Sequence, residues 1–402
     1  MEQKIINKIK FLHSEYGTNK SFSFYLYDLA DIALRIKKIR ENSPLNLGLY
    51  YAMKANPNSS VMKFISNQEG IDGVEIASDG EMHKAMQYFS TNKILFTGPG
   101  KTDFELKQAA QHKIRLINVE SLTEIIRLEK IAKELHIDNV DILLRINIDY
   151  VVEDALEYMA GSSTKMGIDE KQILSVYKYI KNSIDTLTVK GIHVFSASGV
   201  MKYKKLIKYA HYIFKLVKKI ETHLGLKIHI IDFGGGLGID YDKGTTQFDV
   251  ENYMLELKSL IDSFGYHDKE LILELGTYLV GSCGYYSTKV IDIKEVKNYK
   301  YVIVAGGVNH LRLPIANGRK HPVEVIRMDE NKYYEAQPSV FNEKVDIGGP
   351  LCMDADKLSW DVYLDYVDIG DIVVVKQAGA YGYTASTLEF LSHELPKEVV
   401  IS

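Results

Sequence analysis

Between Ser23 and Glu274, short apolar runs alternate with longer amphipathic stretches. In the longer stretches, such as Ser121–Leu135 and Lys204–Leu224, apolar residues recur at helical spacing. The short runs predict β-strands at Asn46–Ala52, Gly73–Glu75, Ile94–Phe96, Leu116–Val119, Asp141–Ile146, Lys190–Val194, Ile228–Phe233 and Leu271–Glu274. Eight strands separated by helices predict an α/β fold of the (β/α)8 TIM-barrel type.

The pattern changes after Gly276. The later apolar segments are β-branched and aromatic, with Gly or Asp in the turns between them: Gly284–Ile293, Tyr301–Val304, Glu324–Arg327 and Ile372–Lys376. They predict an antiparallel β domain, which also takes in a first strand near Phe22–Tyr27. We therefore expect a barrel over 28–275 and a β domain formed by 1–27 and 276–402. A chain of 402 residues is long enough for two such cores.

Composition excludes several classes of protein. The chain is 46% hydrophobic and 25% charged, with a net charge of −4, so it lacks the basic field of a nucleic-acid-binding protein. No apolar run approaches the roughly 18 residues that span a bilayer, and the N-terminus lacks the apolar core of a secretory signal. Two cysteines, Cys283 and Cys352, make neither a disulfide framework nor a metal site. We expect a cytoplasmic protein with no metal, membrane or nucleic-acid partner.

The first candidate for chemistry is Lys54, in the segment Tyr50-Tyr51-Ala52-Met53-Lys54-Ala55-Asn56-Pro57. It follows the first predicted barrel strand, and barrel active sites lie at the carboxyl ends of the strands. A desolvated lysine loses its proton readily, and the neutral amine forms a Schiff base with an aldehyde. A surface lysine whose stem covers apolar residues is the alternative.

The second candidate is the glycine run Gly234–Gly236, which follows the late strand Ile228–Phe233. Glycines let backbone N–H groups approach a phosphate closely, and late barrel strands commonly carry phosphate sites. A tight structural turn is the alternative. A lysine on the first strand and a phosphate cradle on a late one together indicate pyridoxal 5′-phosphate (PLP).

Over nearly its whole length the chain resembles the fold-type III PLP-dependent decarboxylases, which include the ornithine and diaminopimelate decarboxylases. That resemblance implies an alanine-racemase-like barrel followed by a β domain. The matching segments occur in the family's order: YYAMKANPN, GVEIASDGE, LFTGPGKT, LLRINI, GIHVFSASG, IDFGGGLGI, LELGTYLV, GPLCMDAD and AGAYGY.

The resemblance implies roles for individual residues. Lys54 would be the Schiff-base lysine, and Glu274 would face the pyridine nitrogen and keep it protonated. The phosphate would be bound by Ser198, Gly234, Gly235, Gly236 and Tyr381. Arg145, Glu75 and Glu81 match polar positions around the cofactor, where structural ion pairing is the alternative interpretation.

The cysteine of Gly349-Pro350-Leu351-Cys352 matches the family's mobile-loop cysteine. That residue comes from the neighbouring subunit and donates the proton that replaces CO2, so the resemblance implies a homodimer with shared sites. A buried apolar cysteine is the alternative. Asp356 lies four residues later and is assigned to the substrate site.

Three positions depart from the family. Phe195 stands where a histidine usually stacks on the cofactor ring, and His193 is predicted to lie deeper in the barrel as a second cofactor neighbour. Thr277 replaces an arginine that contacts the phosphate. Met353 replaces an acidic residue that recognises the distal amine of ornithine or diaminopimelate.

The departure at Met353, together with the absence of an acid in Val304–Gly307, argues against a free diamino acid as substrate. The segment Gly307–Pro314 looks like the siderophore branch of the family, which decarboxylates an amino acid already amide-linked to citrate. Arg312, Arg319 and His321 would then bind the carboxylates of the citryl group.

Other functions remain open from the sequence. A branch acting on carrier-protein-bound aminoacyl groups also has a non-histidine aromatic at the Phe195 position. A decarboxylase of a free diamino acid and a non-catalytic decarboxylase-like binding protein are further alternatives. A racemase is disfavoured because Pro57 breaks its lysine motif.

Overall fold

The structure is a computed structural model that describes residues 1–16, 22–161, 163–328 and 338–402. Its α-helices are α1 Gln3–Tyr16, α2 Leu29–Asn42, α3 Ser59–Ser66, α4 Asp79–Ala85, α5 Asp103–Gln111, α6 Leu122–Glu134, α7 Ile173–Ser183, α8 Tyr203–Leu224, α9 Val250–Phe264, α10 Thr277–Val280 and α11 Leu313–Asn317. Short 3-10 helices lie at Met53–Ala55, Thr91–Lys93, Glu170–Gln172 and Phe390–Ser392.

The β-strands fall into a barrel, a second sheet and a small separate ribbon. In chain order they are β1 Ser23–Asp28, β2 Leu47–Ala52, β3 Gly73–Ile76, β4 Ile94–Phe96, β5 Leu116–Val119, β6 Val140–Asn147, β7 Glu157–Tyr158, β8 Ile168–Asp169, β9 Leu187–His193, β10 Ala197–Ser198, β11 Ile230–Asp232, β12 Glu270–Leu275, β13 Gly284–Val296, β14 Tyr299–Val304, β15 Val323–Ile326, β16 Val340–Gly348, β17 Lys357–Val367, β18 Ile372–Val375 and β19 Lys397–Ile401.

The predicted barrel is confirmed. Strands β2, β3, β4, β5, β6, β9, β11 and β12 pair in parallel in that order, and β12 pairs with β2 to close the ring. Each coincides with a predicted strand, but β9 begins three residues early, at Leu187, which pairs with Val140 of β6. Its interior is filled by the buried side chains of Tyr50, Leu95, Leu116, Leu143, Ile230 and Ile272.

The helices that separate these strands follow the predicted periodicity. The side chain of Ser121 accepts a hydrogen bond from the backbone N–H of Glu124 at the start of α6. Gly225 ends α8 with a left-handed φ of 63°. Within α8, Leu206, Ile213 and Phe214 are buried while the lysines lie on the solvated side, as the amphipathic pattern indicates.

The second sheet is mixed, which corrects the expectation of a purely antiparallel β domain. Strand β13 pairs antiparallel with β1, β14 and β18, but β1 pairs in parallel with β19 and β14 pairs in parallel with β16. Parallel partners are far apart along the chain, so no hairpin turn predicts them. Helix α1 packs Ile5, Ile9 and Leu12 on one face of this sheet.

The chain divides into two compact units. The barrel unit comprises Ala33–Ile239 and Gln247–Leu279, and the β unit comprises Met1–Ile32, Asp240–Thr246 and Val280–Ser402. Among the described residues, none of the helices has the length and apolar character needed to cross a membrane.

Candidate active site

Lys54 lies in the single 3-10 turn Met53–Ala55, directly after the carboxyl end of β2. Its Nζ donates hydrogen bonds to both carboxylate oxygens of Glu75, each at 3.0 Å. Glu75 is fully buried in β3; burial raises its pKa, and the charge of Lys54 opposes that shift. Lys54 is therefore held at a strand end by a buried acid, unlike a surface lysine.

The turn that carries Lys54 is fixed on both sides. The hydroxyl of Tyr51 donates to the carbonyl of Asn56 at 2.8 Å. On the other side, a Cβ added to Gly276 would lie 2.8 Å from the Cβ of Ala55. The chain that leaves β12 after Glu274 thus runs against the lysine turn.

Three buried polar side chains meet at the ends of neighbouring strands: His193 on β9, Asp232 on β11 and Glu274 on β12. One nitrogen or oxygen atom from each lies within 4.8 Å of the other two. His193 Nε2 is 3.5 Å from Glu274 Oε2. Burial alone would raise the pKa of Glu274, but attraction to His193 and Lys54 outweighs it and lowers that pKa.

Asp232 was not among the residues singled out from the sequence. It is a single carboxyl group within the apolar run Ile230–Phe233, and such a placement signals a group that needs a partner after folding. The barrel's closure supplies that neighbourhood, because β11 lies between β9 and β12.

The glycine loop has no room for side chains. Gly234 has φ of 62°, and a Cβ there would lie 2.7 Å from the Cβ of Phe195. A Cβ on Gly235 would run into the carbonyl oxygen of Glu274. The loop is therefore packed between the chain at Phe195 and the chain at Glu274.

Ser198 lies in the loop that follows β9. Its short strand β10 pairs antiparallel with β7, with Ser198 opposite Glu157. The same loop bonds to the glycine loop, because Val200 N donates to Gly236 O at 2.8 Å. Ser198 and the glycine loop thus belong to one hydrogen-bonded surface.

Two of the remaining barrel candidates make structural contacts. Buried Arg145 forms an ion pair with Glu120, whose Oε2 also accepts the backbone N–H of Gly167 at 3.0 Å. Glu81 accepts the backbone N–H of Ala77 at 2.7 Å, and burial raises its pKa. Contacts of Arg145 and Glu81 with a cofactor stay predictions.

In the β unit, Tyr381 has a left-handed backbone with φ of 52°. The flanking glycines are packed against backbone: a Cβ on Gly379 would collide with the carbonyl of Val280, and one on Gly382 would lie 2.6 Å from the carbonyl of Ala378. Non-glycine residues held in such conformations cluster at functional sites. The geometry fits the predicted role of Tyr381 without testing it.

Cys352 is exposed, in contrast with the buried Cys283. Its loop is held from behind by Asp356, whose two oxygens accept the backbone N–H groups of Val308 and Leu351, each at 2.7 Å. Because both oxygens are engaged in holding the loop, this geometry makes Asp356 a positioning residue for Cys352. Its assignment to the substrate site stays a prediction.

The three predicted citryl-binding residues differ in character. Arg312 is exposed at the start of α11, and its backbone N–H donates to the side chain of Ser386 at 3.0 Å. Arg319 is partly buried after the same helix. Neither guanidinium makes an ion pair with the described residues.

His321 is the most buried of the three. Its ring is 3% exposed, stacks 4.7 Å from the ring of Tyr241 and bonds through Nδ1 to the carbonyl of Lys376 at 3.1 Å. Burial lowers the pKa of His321 to about 4, against the weaker opposing effect of that hydrogen bond. Burial therefore favours the neutral imidazole, and contact of His321 with a substrate carboxylate stays a prediction.

The barrel residues fit PLP. Among the described residues, Glu274 Oε1 is buried without a hydrogen-bond partner, as needed by an acceptor for a pyridinium N–H. The glycine loop is packed beside the Glu274 backbone, directly after β11, and Lys54 stands at the end of β2. Lysine, carboxylate and glycine loop together supply the contacts that a pyridoxal phosphate requires.

Comparisons with known proteins agree. Residues 29–281 match the family described as "Pyridoxal-dependent decarboxylase, pyridoxal binding domain". A Staphylococcus aureus enzyme named 2-[(L-alanin-3-ylcarbamoyl)methyl]-2-hydroxybutanedioate decarboxylase is 33% identical over 94% of each chain. An L-glutamyl-[BtrI acyl-carrier protein] decarboxylase of Niallia circulans is 31% identical over 94% of this chain and 88% of that enzyme.

A solved structure has the same fold. Diaminopimelate decarboxylase from Helicobacter pylori, complexed with L-lysine, superposes with a TM-score of 0.84 over 97% of this chain and 94% of that one, at 27% identity. The match covers both the barrel and the second sheet. The chain belongs to the pyridoxal-dependent decarboxylase family, whose members use PLP to remove a carboxyl group from an amino acid.

Proposed function

We propose that this enzyme decarboxylates an amino acid whose side chain carries an acyl group ending in carboxylates, a citryl-linked amino acid of siderophore biosynthesis. One observation carries the proposal: the Cys352 loop has no acid directly after the cysteine, where the family recognises a distal ammonium. Met353 replaces the expected acid, and Asp356 is engaged by backbone. Asp354 is 95% exposed and lies 3.7 Å from Lys357.

The same part of the chain offers positive charge. Gly307 and Val308 are tied to the Cys352 loop through Asp356, and the turn that begins there leads into Arg312. Carboxylate–guanidinium pairs are strong when bidentate. The name of the Staphylococcus aureus relative describes a substrate with an alanine unit amide-linked to a citrate skeleton, which supports an anionic acyl group.

In the proposed reaction PLP supplies an electron sink when bound. Lys54 provides its covalent anchor, and Glu274 accepts the hydrogen of its ring nitrogen. The glycine loop and Ser198 would hold its phosphate, and Tyr381 keeps the phosphate role that the family resemblance gives it. Phe195 would offer the ring an apolar face that exchanges no proton. Cys352 Sγ donates the proton that replaces CO2 at the α-carbon.

The exposure of Cys352 supports a shared site. A proton donor that faces away from its own unit's core is suited to act in the site of a second copy. We therefore propose a homodimer, at work in the cytoplasm where the amino-acid precursors are made.

The test compares CO2 release from a citryl-linked diamino acid with release from free ornithine, lysine and diaminopimelate. Burial of an unpaired ammonium beside Met353 costs several kcal/mol, so we expect the acylated substrate to lead by at least about a hundredfold in kcat/KM. Arg312→Ala should lose most of that lead while PLP binding is unchanged. Lys294→Ala, which removes an exposed lysine on β13, is the charge-matched control. Efficient turnover of a free diamino acid contradicts the substrate assignment and leaves the decarboxylase assignment intact.

A second candidate is a glutamyl group on a carrier protein. It is favoured by Phe195, because an aromatic other than histidine at this position also occurs in the branch that acts on carrier-bound groups, and by the Niallia circulans relative. The same assay with glutamyl carrier protein decides between them: saturable decarboxylation of that substrate, and none of the citryl amide, would replace the first candidate.

A further inference from the structure

Asp232 makes no ion pair with the described residues, although His193 lies nearby. Its carboxyl group is fully buried, and within the described part of the chain its one hydrogen bond is from the backbone N–H of Gly234 to Oδ1, at 2.8 Å. The two neighbouring buried acids, Glu75 and Glu274, each lie closer to a basic side chain. Lys54 pairs with Glu75, and His193 lies beside Glu274.

Adjacent carboxylates in a buried site do not both ionise, because each charge raises the free energy of the other and neither is solvated. Asp232 and Glu274 contribute atoms within 4.8 Å of each other. One of the two must therefore carry a proton at neutral pH, and contacts decide which.

The contacts assign the proton to Asp232. Glu274 is the acid that faces His193 and Lys54, and these interactions, against its burial, lower its pKa. Burial and the nearby charges of Glu274 and Glu75 raise the pKa of Asp232 well above its usual range. Asp232 Oδ1 accepts the hydrogen bond from Gly234 N–H. Asp232 Oδ2 is buried and has no hydrogen-bond partner among the described residues, so the proton is assigned to Oδ2.

We propose that Asp232 is a neutral carboxylic acid that donates a hydrogen bond to Glu274 and so keeps Glu274 ionised for the ring nitrogen of PLP. This inference rests on the proposed role of Glu274. Asp232 is a positioning residue: Gly234 N–H fixes one oxygen of its carboxyl group and thereby aims the other at Glu274. Asp232 thereby links the glycine loop Gly234–Gly236 to Glu274.

The proposal separates two substitutions that a charged Asp232 would not. Asparagine reproduces a neutral acid, because its carbonyl accepts from Gly234 and its amide N–H donates to Glu274. Alanine removes both bonds. We expect Asp232→Ala to weaken PLP binding by about tenfold or more, and Asp232→Asn by less than about threefold, in absorbance titrations of the cofactor-free protein.

Infrared difference spectroscopy of the cofactor-free protein at pH 7 tests the protonation state directly. The carbonyl-stretch band of a protonated carboxylic acid should shift when the side-chain carboxyl groups of aspartate are labelled with a heavy carbon isotope, and the shifted band should be absent from labelled Asp232→Asn. Glu129→Gln is the matched control, because Glu129 is a buried acid whose interactions with Lys133 and backbone N–H groups lower its pKa despite burial. No such band should disappear from that variant.

A band that does not shift on aspartate labelling, or an Asp232→Asn spectrum identical to wild type, would overturn the proposal. So would equal losses of PLP affinity in Asp232→Asn and Asp232→Ala. The infrared result needs no folded Asp232→Ala and no cofactor. A protein with the expected infrared spectrum that binds no PLP would instead overturn the proposed role of Glu274.

Discussion

The ends of the barrel strands and the Cys352 loop are built in opposite ways. Lys54, Glu75, His193, Asp232 and Glu274 sit on or directly after strands, are mostly buried and contact one another. Cys352 and Arg312 lie in loops of the β unit and are exposed, with their support beneath them in the buried Asp356.

This difference indicates a division of labour. Groups on strand ends are held to a fixed geometry and suit the cofactor chemistry that the whole family shares. Loop residues can be substituted with little effect on the stability of the hydrophobic core, so they are suited to substrate selection. Relatives that are more than 30% identical to this chain are named for different substrates, two of them acylated amino acids and one diaminopimelate, which fits selection by loops on a common barrel.

The largest effect should follow from the barrel's lysine. Lys54→Ala should lower kcat by about a thousandfold or more, because no other described lysine stands at a barrel strand end beside Glu75. Borohydride should fix PLP to the Lys54 peptide of the wild type, as mass spectrometry will show. Lys63→Ala, on the exposed side of α3, is the control. PLP fixed to a different lysine would show that Lys54 and its barrel neighbours do not form the PLP site.

Inactivating the barrel site in one chain and the Cys352 loop in another tests whether the two regions act together across a dimer. Mixtures of inactive Lys54→Ala and Cys352→Ala chains should regain up to about a quarter of wild-type activity. A two-fold dimer of one chain of each kind contains one intact shared site. The measurement is CO2 release after subunit exchange confirmed by mass labelling. Absence of recovery would place both groups in one chain's site or show one of them to be inessential.

Alanine substitutions at Gly234 and Gly225 should show whether steric crowding of the glycine loop, and not backbone strain alone, affects PLP binding. Gly234 and Gly225 have left-handed φ of 62° and 63°, but a Cβ meets Phe195 at the first and nothing within 4 Å at the second. Alanine at either position costs about 1–2 kcal/mol of conformational strain. We expect Gly234→Ala also to weaken PLP binding by about tenfold, whereas Gly225→Ala should change the dissociation constant by less than about twofold. Equal changes in both would mean that crowding of the glycine loop does not matter for the cofactor.

The sequence was most informative where local pattern and burial coincide. Each barrel strand was predicted, because a parallel strand covered on both faces is a continuous apolar run. Lys54 and Gly234–Gly236 were found because their positions after such runs carry meaning. Asp232 was missed, since its surroundings come from two strands that are distant in sequence.

Two further features that the local pattern did not predict, the parallel strand pairings and the burial of His321, have the same origin. The parallel pairings β1–β19 and β14–β16 join segments that no turn connects. His321 follows Lys320 in a polar segment that suggests an exposed cation, but it is buried against Tyr241. Burial by another segment of the chain leaves no mark on the sequence around the buried residue.

The smallest expected effect concerns His321 and decides whether positive charge near α11 comes from arginine alone. His321→Asn keeps a donor at the position of Nδ1, so the bond to the Lys376 carbonyl remains. Because the folded pKa is about 4, below the usual 6.5, wild-type His321 stays neutral when folded and binds a proton when unfolded. Its contribution to stability is present above about pH 6.5 and is lost as the pH falls toward 4. His321→Asn should therefore flatten the decline of unfolding free energy between those pH values, measured by denaturant titration.

At pH 7, His321→Asn should change the preference for a citryl-linked substrate by less than about twofold, whereas Arg312→Ala should remove most of that preference. A large loss of preference in His321→Asn would show that the imidazole is charged in the complex, and the assignment of selectivity to the exposed arginine would then be wrong.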